Sequence, residues 1–240
     1  NESQLTNLDL SGCSAMRHVF QELLKSCHYL QKLTFTQPLN FETLSTLTSK
    51  NGKTLQALNC WYQPWWEYQR QSLVLPSIQS ILKNCTEMKE LNFWDGVYPE
   101  ANGTINYDCG IYGSNIDYLV SNISPNIEKF SIRACEIRDK HIKILVSRCT
   151  KIKELRLAGL RITNNSVTHI LDHLSPTLEQ LELTDNNIDS EKLFQLKLMP
   201  KLKNFDTLEK RGFYFFILHE LRQQLPHVSV NGYPPIGNGL

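Results

Sequence analysis

No stretch of this chain stays apolar for anything near the ~20 residues that a membrane-spanning helix needs. Neither sign of charge dominates it. There are 25 Lys and Arg against 24 Asp and Glu, a formal net charge of +1, so the electrostatic footprint of a nucleic-acid binder is missing. No C-x-x-C pair occurs among the seven cysteines, which removes the usual redox and zinc spacings. Gly52-Lys53-Thr54 matches the end of a phosphate loop, but Leu47 stands where that loop's first glycine belongs, and the segment precedes a strand pattern rather than a helix. No nucleophile elbow is present. His169 and His173 lie i, i+4 with Asp172 between them, without an evident third ligand. The expectation is a non-enzyme with no cofactor, no metal, no nucleic-acid partner and no membrane partner.

What the chain does have is a repeat. An L-x-x-L-x-L triplet recurs at Leu5-Leu8-Leu10, Leu30-Leu33-Phe35, Leu55-Leu58-Cys60 and Met88-Leu91-Phe93. It continues at Ile127-Phe130-Ile132, Ile152-Leu155-Leu157 and Leu178-Leu181-Leu183, with Leu202-Phe205 as a reduced eighth copy and Val228-Val230 as a last short strand. First positions lie 25, 25, 33, 39, 25, 26 and 24 residues apart. Five of those intervals fall in the range of leucine-rich repeats, and the two long ones read as a repeat plus an insertion. Between strands the apolar period lengthens to that of a helix. Met16, Val19, Phe20, Leu23 and Leu24 form one such face, Ile142, Leu145 and Val146 another, and Val167, Ile170, Leu171 and Leu174 a third. Asp139, Thr163 and Asp189 stand near helix starts, where capping side chains are favoured.

One such unit cannot bury its own apolar faces, so neighbours must stack. The predicted architecture is an α/β right-handed solenoid, a horseshoe with a parallel sheet on the concave face and helices on the convex face. It is read as a single leucine-rich-repeat domain over 1–240 with about eight repeats, insertions near 61–75 and 94–112, and a C-terminal tail over 231–240. Asn186 and Cys135 occupy the post-strand slot whose side chain turns inward to bond the backbone, and Leu160 departs from that pattern. Cys27, Cys85 and Cys149 each precede a strand by three residues, Cys60 fills a core position, and Cys13 shares the slot of Cys135. Only Cys109 lies outside the repeat phase. Buried thiols in a reducing compartment, cytoplasm or nucleus, fit that phase. The N-x-S/T sequons at Asn84, Asn102, Asn122 and Asn164 are read as chance occurrences.

Cysteines ahead of the strand, in SRCTKIKELRL, together with the stretches IRDKHI and ITNNSV, resemble the cysteine-containing repeats of the F-box/leucine-rich-repeat family. The C-terminal stretch, with Leu225-Pro226-His227 and Pro235-Ile236-Gly237-Asn238, is similar to the end of the S-phase kinase-associated branch of that family. The aromatic insertions depart from that branch. The resemblance implies the substrate-recognition (adaptor) subunit of a cullin-based SCF ubiquitin ligase, holding a protein substrate on its repeats. It also implies that a Skp-type adaptor and cullin engage through an F-box outside this chain, expected upstream, and that the tail folds back along the concave face. The alternative is a non-enzymatic intracellular repeat scaffold or inhibitor unrelated to ubiquitin.

The candidate binding residues come from strand alternation. Third, fifth and seventh positions of L-x-x-L-x-L-x point out of the sheet. In the third repeat these are Ala57, Asn59 and Trp61, and in the fourth Glu90, Asn92 and Trp94. Arg133 and Arg156 follow at the seventh and fifth positions of the next two repeats. All four tryptophans fall in or beside the insertions, with Tyr62 and Trp65 among the aromatics there. Such rings either pack on one another or form a partner patch, since aromatics and Arg are enriched at binding hot spots. The predicted partner site is Trp61, Trp94, Arg133 and Arg156, with Tyr62 and Trp65 beside it. It suits a protein segment carrying apolar and acidic groups.

Overall fold

The computed structural model describes residues 4–11, 17–35, 41–62, 75–95, 98–99, 105–106, 113–133, 136–207 and 214–231. Every predicted triplet becomes a strand or the approach to one. The strands are β1 (Asn7–Leu10), β2 (Lys32–Phe35), β3 (Ala57–Tyr62) and β4 (Glu90–Asp95), then β7 (Lys129–Arg133), β8 (Glu154–Ala158), β9 (Gln180–Glu182), β10 (Asn204–Asp206) and β11 (Ser229–Asn231). They form one nine-stranded sheet in that order, with parallel pairing throughout. The two remaining short strands, β5 (Tyr98–Pro99) and β6 (Ile105–Asn106), pair antiparallel inside the second insertion.

Between strands run α1 (Arg17–Ser26), α2 (Phe41–Asn51), α3 (Leu75–Asn84), α4 (Ser114–Asn122), α5 (Asp139–Arg148), α6 (Asn164–Leu174), α7 (Ser190–Leu193, continued by a 3-10 turn over Phe194–Leu198) and α8 (Tyr214–Gln224). From α1 to α7, each helix packs on the next. Strands stack ~4.8 Å apart while helices need ~8–10 Å. The helix-free face of the sheet is therefore the concave one. The fold is an α/β leucine-rich-repeat solenoid.

The core is a set of columns. Leu33, Leu58, Leu91, Phe130, Leu155, Leu181 and Phe205 are register partners along the sheet, and each is essentially without exposed surface. Backbone bonds repeat with the same period. The carbonyl of the second repeat position accepts two successive N–H groups from the next repeat, as Thr6 does from Gln31 and Lys32 and as Glu128 does from Lys153 and Glu154. Asn186 acts as its slot predicts. Its Oδ1 accepts from Leu160 N and its Nδ2 donates to the carbonyls of Leu157 and Thr184. The residue ahead of that slot takes a left-handed conformation in two successive repeats, Gly159 (φ 64) and Asp185 (φ 55).

Two expectations need correction. On α1, Leu24 is buried, but Val19 is 50% exposed and Leu23 37%. The helical period was right, but among the described residues no repeat stacks on that end. Asp139 and Asp189 do not cap their own helices through their side chains. Asp139 is the first residue of α5. Its carboxylate accepts instead from Thr163 N and Oγ1 and from Ser166 Oγ, one repeat on. Burial pushes the Asp139 carboxyl up, but these bonds together hold it below the usual carboxylate range. Asp189 stands at the N-cap of α7, yet its carboxylate accepts from Asn164 Nδ2. Thr163 alone caps as predicted, accepting from Asn165 N.

Cys27, Cys60, Cys85 and Cys149 are free and buried, while Cys13, Cys109 and Cys135 lie outside the described residues. Burial pushes the thiols of Cys85 and Cys149 up to about 12. The thiolate is the reactive species, so native-state titration with a thiol reagent at pH 8 is expected to be slow and to complete on denaturation. Fast native reaction of Cys85 or Cys149, mapped by mass spectrometry, would contradict this. The sequon amides are engaged as well. Asn84 donates to Thr48 and Ser80, Asn122 to the Tyr118 carbonyl, and Asn164 to Asp189, whereas Asn102 lies outside the described residues.

Gly52 marks a close approach of α2 to α3. A Cβ there would stand 2.5 Å from the carbonyl oxygens of both Asn84 and Thr48. These are backbone atoms, so the end of α3 at Asn84 would have to move away and the end of α2, which holds Thr48, would have to unwind. Gly52→Ala is expected to lower stability by about 1–3 kcal/mol, read as a shifted denaturant midpoint with an unchanged slope. An unchanged midpoint would mean that α3 and the end of α2 can both give way without cost.

Candidate functional site

Register pairing builds the concave face residue by residue. The fifth repeat position forms one unbroken column across all nine strands: Asp9, Thr34, Asn59, Asn92, Ser131, Arg156, Glu182, Asp206 and Asn231. After Asp9, its first half is a ladder of uncharged groups. Asn92 Nδ2 donates to Asn59 Oδ1 at 2.6 Å, and Asn59 Nδ2 to Thr34 Oγ1 at 3.3 Å. Asn59 and Thr34 are buried, although they face away from the core. Asn92 also donates to Glu90 Oε1, 3.0 Å away in the third column.

The second half is charged. Arg156 Nε lies 2.7 Å from Glu154 Oε1, and Lys129 Nζ lies 3.5 Å from Glu154 Oε2. Next along the column stand two carboxylates on adjacent strands, Glu182 and Asp206. Burial pushes the Glu182 carboxyl up. Arg156 pulls it back, the Asp206 charge raises it further, and the Thr184 hydroxyl and Arg133 lower it, with a net upward shift. Its charged form is therefore held at a higher free energy in the folded chain than in the unfolded one. Stability from this group is present at low pH and is lost as pH rises through its folded value. Glu182→Gln is expected to stabilise the protein at pH 7 and to flatten the fall in stability as pH rises above the ordinary carboxylate range. A steeper profile in the variant would overturn that assignment.

Ser131 sits between Asn92 and Arg156 in the same column. It is 4% exposed, and its Oγ is buried without a hydrogen-bond partner among the described residues. A buried hydroxyl left unbonded costs about 1–3 kcal/mol.

Of the predicted residues, Trp61 and Trp94 are register partners at the seventh position of β3 and β4. Arg133 follows in that phase on β7, paired with Ala158. Tyr62 pairs with Asp95 one step on. The backbone positions of Trp61, Tyr62 and Trp94 are described but their side chains are not, and Trp65 lies outside the described residues. Arg133 and Arg156 are both half-buried, and both act on Glu182. The basic flank expected from sequence is thus a mixed cluster in which Glu154 and Glu182 face the arginines. Ser131, Glu154, Glu182 and Asp206 were missed. Writing out the third and fifth columns in full would have found them, since they share the phases already assigned to Asn59, Glu90 and Arg156.

A second ion-pair row lines the start of the strands, where Lys153 lies 2.6 Å from Glu128 and Lys203 lies 2.6 Å from Glu179. An open cavity of about 1030 Å³ lies beyond the strand ends of the later repeats, among Arg161, Thr163, Asp185, Asn186, Asp189 and Ile217. No helix among the described residues is long and apolar enough to cross a membrane.

No family model matches the sequence, and no curated protein matches it. Among solved structures, the chain is similar to one described as the crystal structure of the Rad7 and Elc1 complex in yeast. That similarity has a TM-score of 0.44 at 14% identity, over 95% of this chain and 76% of that chain.

Proposed function

We propose that this chain is the substrate-binding repeat domain of a cullin-based ubiquitin ligase receptor. It holds a protein partner on its concave face, while a Skp-type adaptor and cullin engage an F-box outside the chain. The observation that carries the binding role is the fifth-position column, which lays amide, hydroxyl, guanidinium and carboxylate groups in one continuous line across the sheet. A solenoid needs apolar residues at its inward positions but has no structural need for an ordered polar line on its open face. The ligase role is supported by the resemblance of the cysteine-bearing repeats and the C-terminal stretch.

The test is affinity purification of the full-length protein under proteasome inhibition, beside an Arg156→Glu, Glu182→Arg variant. The expected result is co-recovery of cullin and the Skp-type adaptor with both proteins, and of a polyubiquitylated substrate with the unmodified protein alone. Recovery of a stable partner with neither cullin nor adaptor would favour a scaffold or inhibitor and end the ligase reading.

A further inference from the structure

The concave face carries an electric dipole along its fifth column, and this fixes the partner's charge pattern. On one side stand Ser131, whose buried hydroxyl has no hydrogen-bond partner among the described residues, and Arg156. Arg156 uses Nε on Glu154, and among the described residues its two terminal nitrogens have no bonded partner. On the other side stand Glu182 and Asp206, adjacent in register, and among the described residues neither forms an ion pair within hydrogen-bond distance. The cationic and anionic halves are two strand steps apart, midpoint to midpoint, which is ~10 Å.

We infer that the occupant is a segment of a partner protein in polyproline II conformation, with one carboxylate and one basic side chain three residues apart. This rests on the protein-binding role proposed above and specifies it. The carboxylate pairs with Arg156 and accepts from Ser131 Oγ, and the base lies over Glu182 and Asp206. Polyproline II advances ~3.1 Å per residue with three residues per turn, so residues i and i+3 share a face about 9 Å apart and span the two halves. A β-strand would put i and i+3 on opposite sides. The face of a sheet also offers no backbone groups for a strand to pair with, and polyproline II needs none. A carboxylate suits the cationic half better than a phosphate dianion, because Glu154 and Glu182 flank Arg156 on two sides.

The test uses the full chain and fluorescent nine-residue proline-rich peptides with one Glu and one Arg placed one to six positions apart. Binding is expected to peak at a separation of three, at least about fivefold above separations of two and four, and to weaken with salt. Ser131→Ala and Arg156→Gln should each reduce the peak through loss of the Glu requirement. A Glu182→Gln, Asp206→Asn double variant should lose the Arg requirement and keep that for Glu. Thermal melts report whether each variant folds, and if one does not, the spacing profile of the unmodified protein still decides. No measurable binding, a profile flat in separation, or a peak untouched in folded variants overturns the inference. If cullin and adaptor are still recovered with the full-length protein, that failure belongs to the register alone and the receptor reading stands.

Discussion

Replacing Phe130 by alanine is expected to lower the unfolding free energy by about 3–5 kcal/mol, more than any other truncation along its column. Phe130 has no exposed surface. It lies on β7, the fifth of nine strands, in register with Leu91 on one side and Leu155 on the other. The column it belongs to cannot close over the void, because both neighbours are held by strand pairing. In a stacked array, stability is the sum of each repeat and its interfaces with its neighbours. The loss should therefore appear as a weakened coupling between the two halves, with a broadened or double melting transition. A loss under about 1 kcal/mol, or a sharp single transition shifted by less than a degree or two, would show that the column is not close-packed at this strand.

The second large effect concerns Trp61 and Trp94. Their backbones pair directly at the seventh position of neighbouring strands, ~4.8 Å apart. Trp94 lies on the strand next to the one that carries Arg133, and Trp61 one strand further. Alanine at either position is expected to weaken partner binding by about 2 kcal/mol or more, roughly thirtyfold, as at an aromatic hot spot. The measurement is the affinity of the captured substrate for the full-length protein and for each variant, beside a melt of each. If the rings serve only to pack the insertions, the melts will fall while affinity holds. If they anchor the partner, affinity will fall and the melts will hold.

Strand phase was legible because a parallel repeat leaves its period in the chain. The spacing of Leu33, Leu58 and Leu91 was enough to place them side by side, and the pairing of Trp61 with Trp94 followed from the same phase. Helix faces were legible wherever a neighbouring repeat exists to bury them, as for Ile142, Leu145 and Val146. They failed at α1, where Val19 has the right period but nothing among the described residues to pack on. The charge balance of the site was not legible. Glu154 and Glu182 lie two and 26 residues from Arg156, and only the register brings both beside it. Read along the chain, each looks like an ordinary solvated acid. The reassignment of Asp139 has the same origin, because its partners Thr163 and Ser166 are visible only once adjacent helices are stacked.

The links at the helix starts have a mechanical consequence. Asp139 to Thr163, Asn164 to Asp189 and His141 Nε2 to Asp117 each join one repeat to the next. None of these reaches past its immediate neighbour. Under a pulling force applied at its two ends, a chain linked in this way meets no tether among the described residues that bridges distant repeats. It should lengthen in separate steps, most of them the release of one repeat of about 25 residues, rather than in one rupture. The two repeats carrying insertions would give the longest steps of the series.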